Sequence, residues 1–306
     1  MSKMHTPDGP DGVFVLPFAD VSHIADKQLD LAYADASPFQ ALDLYFPEGK
    51  APEGGWPLLI YVHGGAWMMC DKRDIQLNSP LSLTNAGYAV ASVNYRLTGE
   101  AQFPAQIYDV KAAIRFLRAN AAKWNIDTGR FALWGCSAGG HLVSLAATTN
   151  GVTLFEDFSM GNADISSEVH AVVCYYGPTK LDEMDQFYAQ TKIGEFSHLD
   201  ADSPESRLLG GVPTEVPAQV IAANPETWVT KHCPPFFLAH APLDPVVPVQ
   251  HSVVLSQKIT AIAGEGRAQL KFVQNAGHAT PEFDEPELTA EVISFLNRVL
   301  ASPSRS

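Results

Sequence analysis

The chain has 306 residues, 46% of them hydrophobic and 18% charged, which supplies a full apolar core and argues against disorder. A formal net charge of −14 with no basic run argues against a nucleic-acid partner, because phosphate binding needs clustered Lys and Arg. No apolar stretch approaches the roughly 18–20 residues of a membrane helix, so no membrane partner is expected.

The start, "MSKMHTPDGPDGVF", is polar and turn-rich and lacks the pattern of a signal peptide, which points to the cytoplasm. Cys70, Cys136, Cys174 and Cys233 are isolated, with no C-x-x-C, and suit a reducing compartment. Residues 1–39 read as an N-terminal flank. Beyond them "ALDLYFP" alternates and stops at a proline, as an outer strand does, while "PLLIYVHGG" and "GYAVASVNYR" are continuously apolar, as strands buried on both faces are. In "FPAQIYDVKAAIRFLRANAAKW", Ile107, Val110, Ile114 and Leu117 recur on one helical face, with Pro104 suited to the first turn.

The pattern repeats. "RFALWG", "HAVVCYYG", "PPFFLAHA" and "AQLKFVQNAG" predict strands; "SAGGHLVSLAATT", "VPVQHSVVLSQKITAIAG" and "PELTAEVISFLNRVL" predict helices. Alternating strands and helices predict one α/β domain over residues 1–306, a mostly parallel sheet with helices on both faces. Residues 181–230 break the rhythm with prolines and weak periodicity, and are expected to form a lid or cap insertion over the sheet's carboxyl edge. Within it, Arg207 and Glu205 of "SPESRLLGG" are expected to pin the segment to the body. Arg96, Glu100 and Asp109 read as a buried structural network.

"GCSAGG", residues 135–140, has the form G-x-S-x-G, which chance alone puts in roughly one 300-residue chain in ten. Its context is more telling: a strand before it and a helix after it, as a nucleophile elbow requires. Gly135 and Gly139 give strand and helix room to pass, and the helix aims its positive end at Ser137. "YVHGGAW" follows a buried strand, and its glycines let main-chain N–H groups face an anion. Gly65 and Ala66 are therefore candidate oxyanion donors together with Ala138. His63 is expected to orient this loop rather than to act as a base.

In sheet enzymes of this kind the order is Ser, then Asp or Glu, then His. Of ten histidines, His278 lies on the loop after the last strand, in "NAGHATPEF". Asp244 sits just past the preceding strand among Pro242, Pro245 and Pro248, which pre-set the backbone around its carboxylate. Glu282 and Asp284 are weaker rivals because they lie too near His278 in sequence. Trp67 and Trp228 are candidate substrate-binding aromatics. There is no H-E-x-x-H and no Cys/His cluster at ligand spacing, so neither a metal nor another cofactor is expected.

Together "HGGAW", "AVASVNYRLTGEAQFPAQIYDVKAAIRFLRANAAKWNID", "WGCSAGGHL", "SPESRLLGG", "PPFFLAHAPLDPVVPV" and "NAGH" resemble the alpha/beta hydrolases. The likeness is closer to bacterial feruloyl and acetylxylan esterase-like carboxylesterases, near the hormone-sensitive-lipase-like and kynurenine-formamidase-like enzymes. It spans residues 40–300 and implies the alpha/beta hydrolase fold and a serine carboxylesterase acting on small to medium aryl, feruloyl-type or acetyl esters. Its departures are Ala241 where glycine is usual, Ala66 in place of a third loop glycine, and Cys136 inside the elbow. A formamidase-type amidase and a non-catalytic binding protein on the same fold are the rival readings. The expected partner is a small-molecule ester, and a homo-oligomer stays open.

Overall fold

The computed structural model describes residues 16–301 apart from 192 and 194–196; the polar start at 1–15 lies outside the described residues. The strands are β1 (Lys27–Ala32), β2 (Ala41–Tyr45), β3 (Trp56–Val62), β4 (Ala89–Val93), β5 (Ile126–Cys136), β6 (Ala171–Tyr175), β7 (Phe236–His240) and β8 (Ala268–Phe272). They form one sheet in the order β1-β2-β4-β3-β5-β6-β7-β8. β1 and β2 join it antiparallel, and every pairing from β4 to β8 is parallel. The strands expected to be buried on both faces are so: β4, β6 and β7 are buried at every position, and β3 at all but Trp56.

β1 is the departure at the start of the sheet. It falls inside the stretch read as a flank, and it pairs only with β2, as an edge strand. Its register shifts between Gln28 and Leu31, where Asp30 holds φ +56°. That bulge and its half-exposed faces erase the alternation by which a strand is recognised.

The helices are α1 (Asn78–Leu81), α2 (Ala105–Ala119), α3 (Ala138–Thr148), α4 (Met184–Thr191), α5 (Pro204–Leu209), α6 (Pro217–Ala223), α7 (Gln250–Ala263) and α8 (Pro286–Val299). Ile107, Val110, Ile114 and Leu117 of α2 join residues of α3 and α7 in the core on one face of the sheet. Leu288, Val292, Phe295 and Leu296 of α8 fill the core on the other. The sandwich leaves only the carboxyl edge of the parallel strands open for a site. Among the described residues no helix is long and apolar enough to cross a membrane.

The 181–230 segment folds into α4, α5 and α6. Ser203 caps α5 by accepting the Ser206 N–H at 3.1 Å, Pro204 starts it and Gly210 ends it at φ +77°. Arg207 does not pin the segment to the body: it is exposed, and its Nε donates to the Asp202 carbonyl beside it. Nor does Glu205, whose Oε2 is buried without a hydrogen-bond partner. The ties include Phe103 N–H to the Leu208 carbonyl at 2.8 Å, the Tyr188 hydroxyl to the Pro245 carbonyl at 2.8 Å and His141 Nε2 to the Ala223 carbonyl at 2.8 Å. Arg96 does hold buried Asp109 at 2.8 Å, with Gln40 donating to the same carboxylate, but Glu100 is exposed and outside that network.

Candidate active site

Ser137 is the junction between β5 and α3 and takes φ +52°, ψ −121°. A non-glycine residue held at positive φ carries strain that the surrounding structure must impose. Here it does: the Ser137 N–H donates to the Tyr175 carbonyl at 2.9 Å, and the Ser137 carbonyl accepts the His141 N–H at 3.0 Å. Gly139 is needed for the crossing, because an added Cβ would overlap the carbonyl oxygens of Val62 and His63 on β3 and the loop that follows it. Gly135 is equally confined against Gly139.

Ser137 Oγ lies 3.0 Å from His278 Nε2, and His278 Nδ1 lies 2.8 Å from Asp244 Oδ2. A carboxylate only accepts, so Nδ1 carries the proton and Nε2 is free to accept from the serine. Asp244 is buried, and its other oxygen accepts the Val246 and Val247 N–H groups at 2.8 and 2.9 Å. Burial would push this carboxyl up, but the neighbouring His278, through its charge and its hydrogen bond, and the nearby His240 hold it well below the usual carboxylate range. His240, which the sequence places only within a strand, sits under the loop with Nδ1 2.7 Å from Ser252 Oγ and Nε2 2.8 Å from the Val247 carbonyl. Ala241 is fully buried, and Asp244 still reaches His278 without the usual glycine.

Gly65 and Ala66 hold φ +101° and +53° in the loop after β3. The N–H groups of Gly65, Ala66 and Ala138 have no protein acceptor among the described residues. His63 orients the loop as expected: its Nδ1 donates to the Gly64 carbonyl at 2.8 Å, and its ring stacks on Tyr95 at 4.5 Å. The rival acid Asp284 accepts from Ser79 Oγ at 2.6 Å and is not bonded to His278.

Ser137, His278, Gly65 and Ala66 open onto one cavity of about 590 Å³. Its walls are largely aromatic and apolar, with Tyr61, Trp134, Tyr175, Tyr176 and Phe283 the main contributors. Tyr176 packs edge-on to His278 at 4.7 Å and to Phe283 at 4.5 Å. The reading of Trp67 and Trp228 as substrate-binding needs correction, because neither lines this cavity. Trp67 is buried in the core and donates its indole N–H to His141 Nδ1 at 3.1 Å. Trp228 packs edge-on to Phe155 at 4.9 Å and donates to the Ala222 carbonyl. The aromatics that do line the cavity carry one legible signal, since Tyr61, Trp134 and Tyr175 all stand near the carboxyl ends of parallel strands. No described residue of the 181–230 segment lines it. Among the described residues no group of three or more His, Cys, Asp or Glu is placed to hold a metal ion.

The BD-FAE family profile matches residues 42–259, most of the chain and all of the sheet between β2 and β7. The chain belongs to the BD-FAE family. A solved relative of this BD-FAE chain, a truncated carbohydrate esterase from gut microbiota, is 30% identical and covers 94% of this chain and 100% of its own, with a TM-score of 0.83. A bifunctional GH43-CE protein of Bacteroides eggerthii is 34% identical over 90% of this chain and 38% of its own, with a TM-score of 0.78. Esterase LipC of Mycobacterium tuberculosis is 32% identical over 87% of the chain, and the BD-FAE chain spans 64% of LipC's length. The fold is that of the alpha/beta hydrolases, as the sheet order and these likenesses show.

Proposed function

We propose that the chain is a serine carboxylesterase that cleaves small to medium carboxylic esters through an acyl-enzyme. The observation that carries this is the unbroken relay from Ser137 Oγ to His278 Nε2 and from His278 Nδ1 to Asp244, opening on an aromatic cavity. His278 takes the serine proton as Oγ attacks the ester carbonyl, and the Gly65, Ala66 and Ala138 N–H groups stabilise the oxyanion. The start of α3 adds its positive end at the same point. His278 then protonates the leaving alcohol and activates the water that releases the acid. Asp244 keeps the imidazole in the required tautomer and stabilises its charged form.

The names of the relatives, a carbohydrate esterase and esterase LipC, support the ester class. Acetyl and aryl esters suit the size and lining of the cavity. The free cysteines Cys70, Cys136, Cys174 and Cys233 support work in a reducing compartment such as the cytoplasm. Ser137→Ala should abolish hydrolysis of p-nitrophenyl acetate and labelling by a fluorophosphonate while circular dichroism stays native. Wild-type turnover in that variant would refute the nucleophile and with it the reading.

A further inference from the structure

Cys136, the residue before Ser137, takes no part in the chemistry above, yet its contacts are specific. Its Sγ lies 2.8 Å from Gln76 Oε1 and 3.2 Å from the Tyr61 hydroxyl. Burial pushes the thiol up to about 11, so at neutral pH it keeps its proton and donates it to the amide oxygen. The same Oε1 accepts the Gly64 N–H at 3.1 Å, while Gln76 Nε2 donates to Cys70 Sγ at 3.5 Å. Cys70 follows the turn in which the Met68 and Met69 N–H groups close onto the Gly65 carbonyl at 2.9 and 3.0 Å. One amide thus touches the residue before the oxyanion donors, the turn after them and the nucleophile elbow. The fit is tight: a Cβ on Gly64 would lie 2.9 Å from Gln76 Oε1 and 3.0 Å from the Cys136 carbonyl.

We infer that Gln76 and Cys136 are positioning residues, and that their hydrogen bond locks the oxyanion loop to the nucleophile elbow. The inference rests on the ester-hydrolase reading. Gly65, Ala66 and Trp67 hold φ +101°, +53° and +58°, so the loop needs external ties to keep a conformation that alanine and tryptophan disfavour. Its donors meet full negative charge only in the transition state, so a displaced loop lowers kcat and leaves substrate binding nearly intact.

Gln76→Met keeps the length and removes both the acceptor and the donor of the amide, Cys136→Ala removes the thiol donor, and Cys136→Ser restores one. Each is measured for kcat and KM on p-nitrophenyl acetate and for inhibition by an alkyl trifluoromethyl ketone, whose serine adduct carries an oxyanion. Gln76→Met and Cys136→Ala should each lose about 10- to 100-fold in kcat, the scale of a misplaced or missing donor. KM should hold within about twofold, and inhibitor affinity should fall by the same factor as kcat. Cys136→Ser should recover most of both. Thermal melts report whether each variant is folded, and either folded variant suffices. Unchanged kcat, or a kcat loss without loss of inhibitor affinity, overturns the inference. Ser137→Ala in the same assay separates the two ideas: turnover retained there overturns the esterase reading itself. Turnover lost there but unchanged in Gln76→Met and Cys136→Ala overturns only the tie.

Discussion

Asp244 works through where its two oxygens point. One takes the His278 N–H, and the other is held by two backbone N–H groups, so the carboxylate cannot swing away from the imidazole. Asp244→Asn keeps the shape but presents an amide, which favours the tautomer with its proton on the serine side. On the proposed esterase reading, the rate constant should fall by about 10⁴ with KM little changed, the loss that this change causes in a Ser-His-Asp triad. Steady-state kinetics on a p-nitrophenyl ester checks this, and a loss under about tenfold would remove Asp244 from the relay. At this scale Ser137, Asp244 and His278 were legible because each sits at a boundary that sequence marks: strand to glycine, strand to proline cluster, strand to Gly277. Trp67 and Trp228 were not legible. A large aromatic near a motif packs inward or lines a pocket with the same local sequence, and only its distant neighbours decide.

α3 is the element that joins the site to the rest of the fold. One turn after Ser137, buried His141 accepts the Trp67 indole N–H at Nδ1 and donates from Nε2 to the Ala223 carbonyl at 2.8 Å. The loop after β3, α3 and the end of α6 are therefore one hydrogen-bonded unit. Trp67→Phe leaves the buried Nδ1 without a donor and should cost about 1–3 kcal/mol, read as a lower urea midpoint. Preference among acyl chain lengths should stay as in the wild type. A changed preference with unchanged stability would return Trp67 to the substrate pocket. Elements with a strong period, such as α2 and α8, were readable from sequence, and so were the fully apolar strands. β1 was not, because an edge strand with a bulge has one neighbour and no buried face to impose alternation.

Across the whole molecule, buried neutral histidines set an acid limit on stability. Burial pulls His63 and His141 down to about 4, and His251 well below the ordinary 6.5. Unfolded, each takes up a proton near pH ~6.5. The unfolded chain then binds more protons than the folded one, so stability is full above pH ~6.5 and falls as pH drops toward about 4. Urea midpoints should hold steady from about pH 8 to about 7 and decline progressively below about 6.5. Midpoints that stay flat down to about pH 4.5 would show that these imidazoles are charged in the folded state.

What the sequence determined by itself is whatever rests on local spacing. The β/α alternation, the elbow with its glycines and the order Ser137, Asp244, His278 each need only neighbouring residues or chain order to be read. Tertiary structure alone decided which residues share a cavity and which share a hydrogen bond. Tyr61, Trp134 and Tyr175 come from three separate strands and meet because parallel strands end at one edge, and Phe283 joins them from the 3-10 turn Pro281–Asp284 after β8. Cys136 shows both halves of this. Its place beside Ser137 is plain in "GCSAGG", but its partner Gln76 lies 60 residues away, in the short 3-10 turn Ile75–Leu77 between β3 and α1.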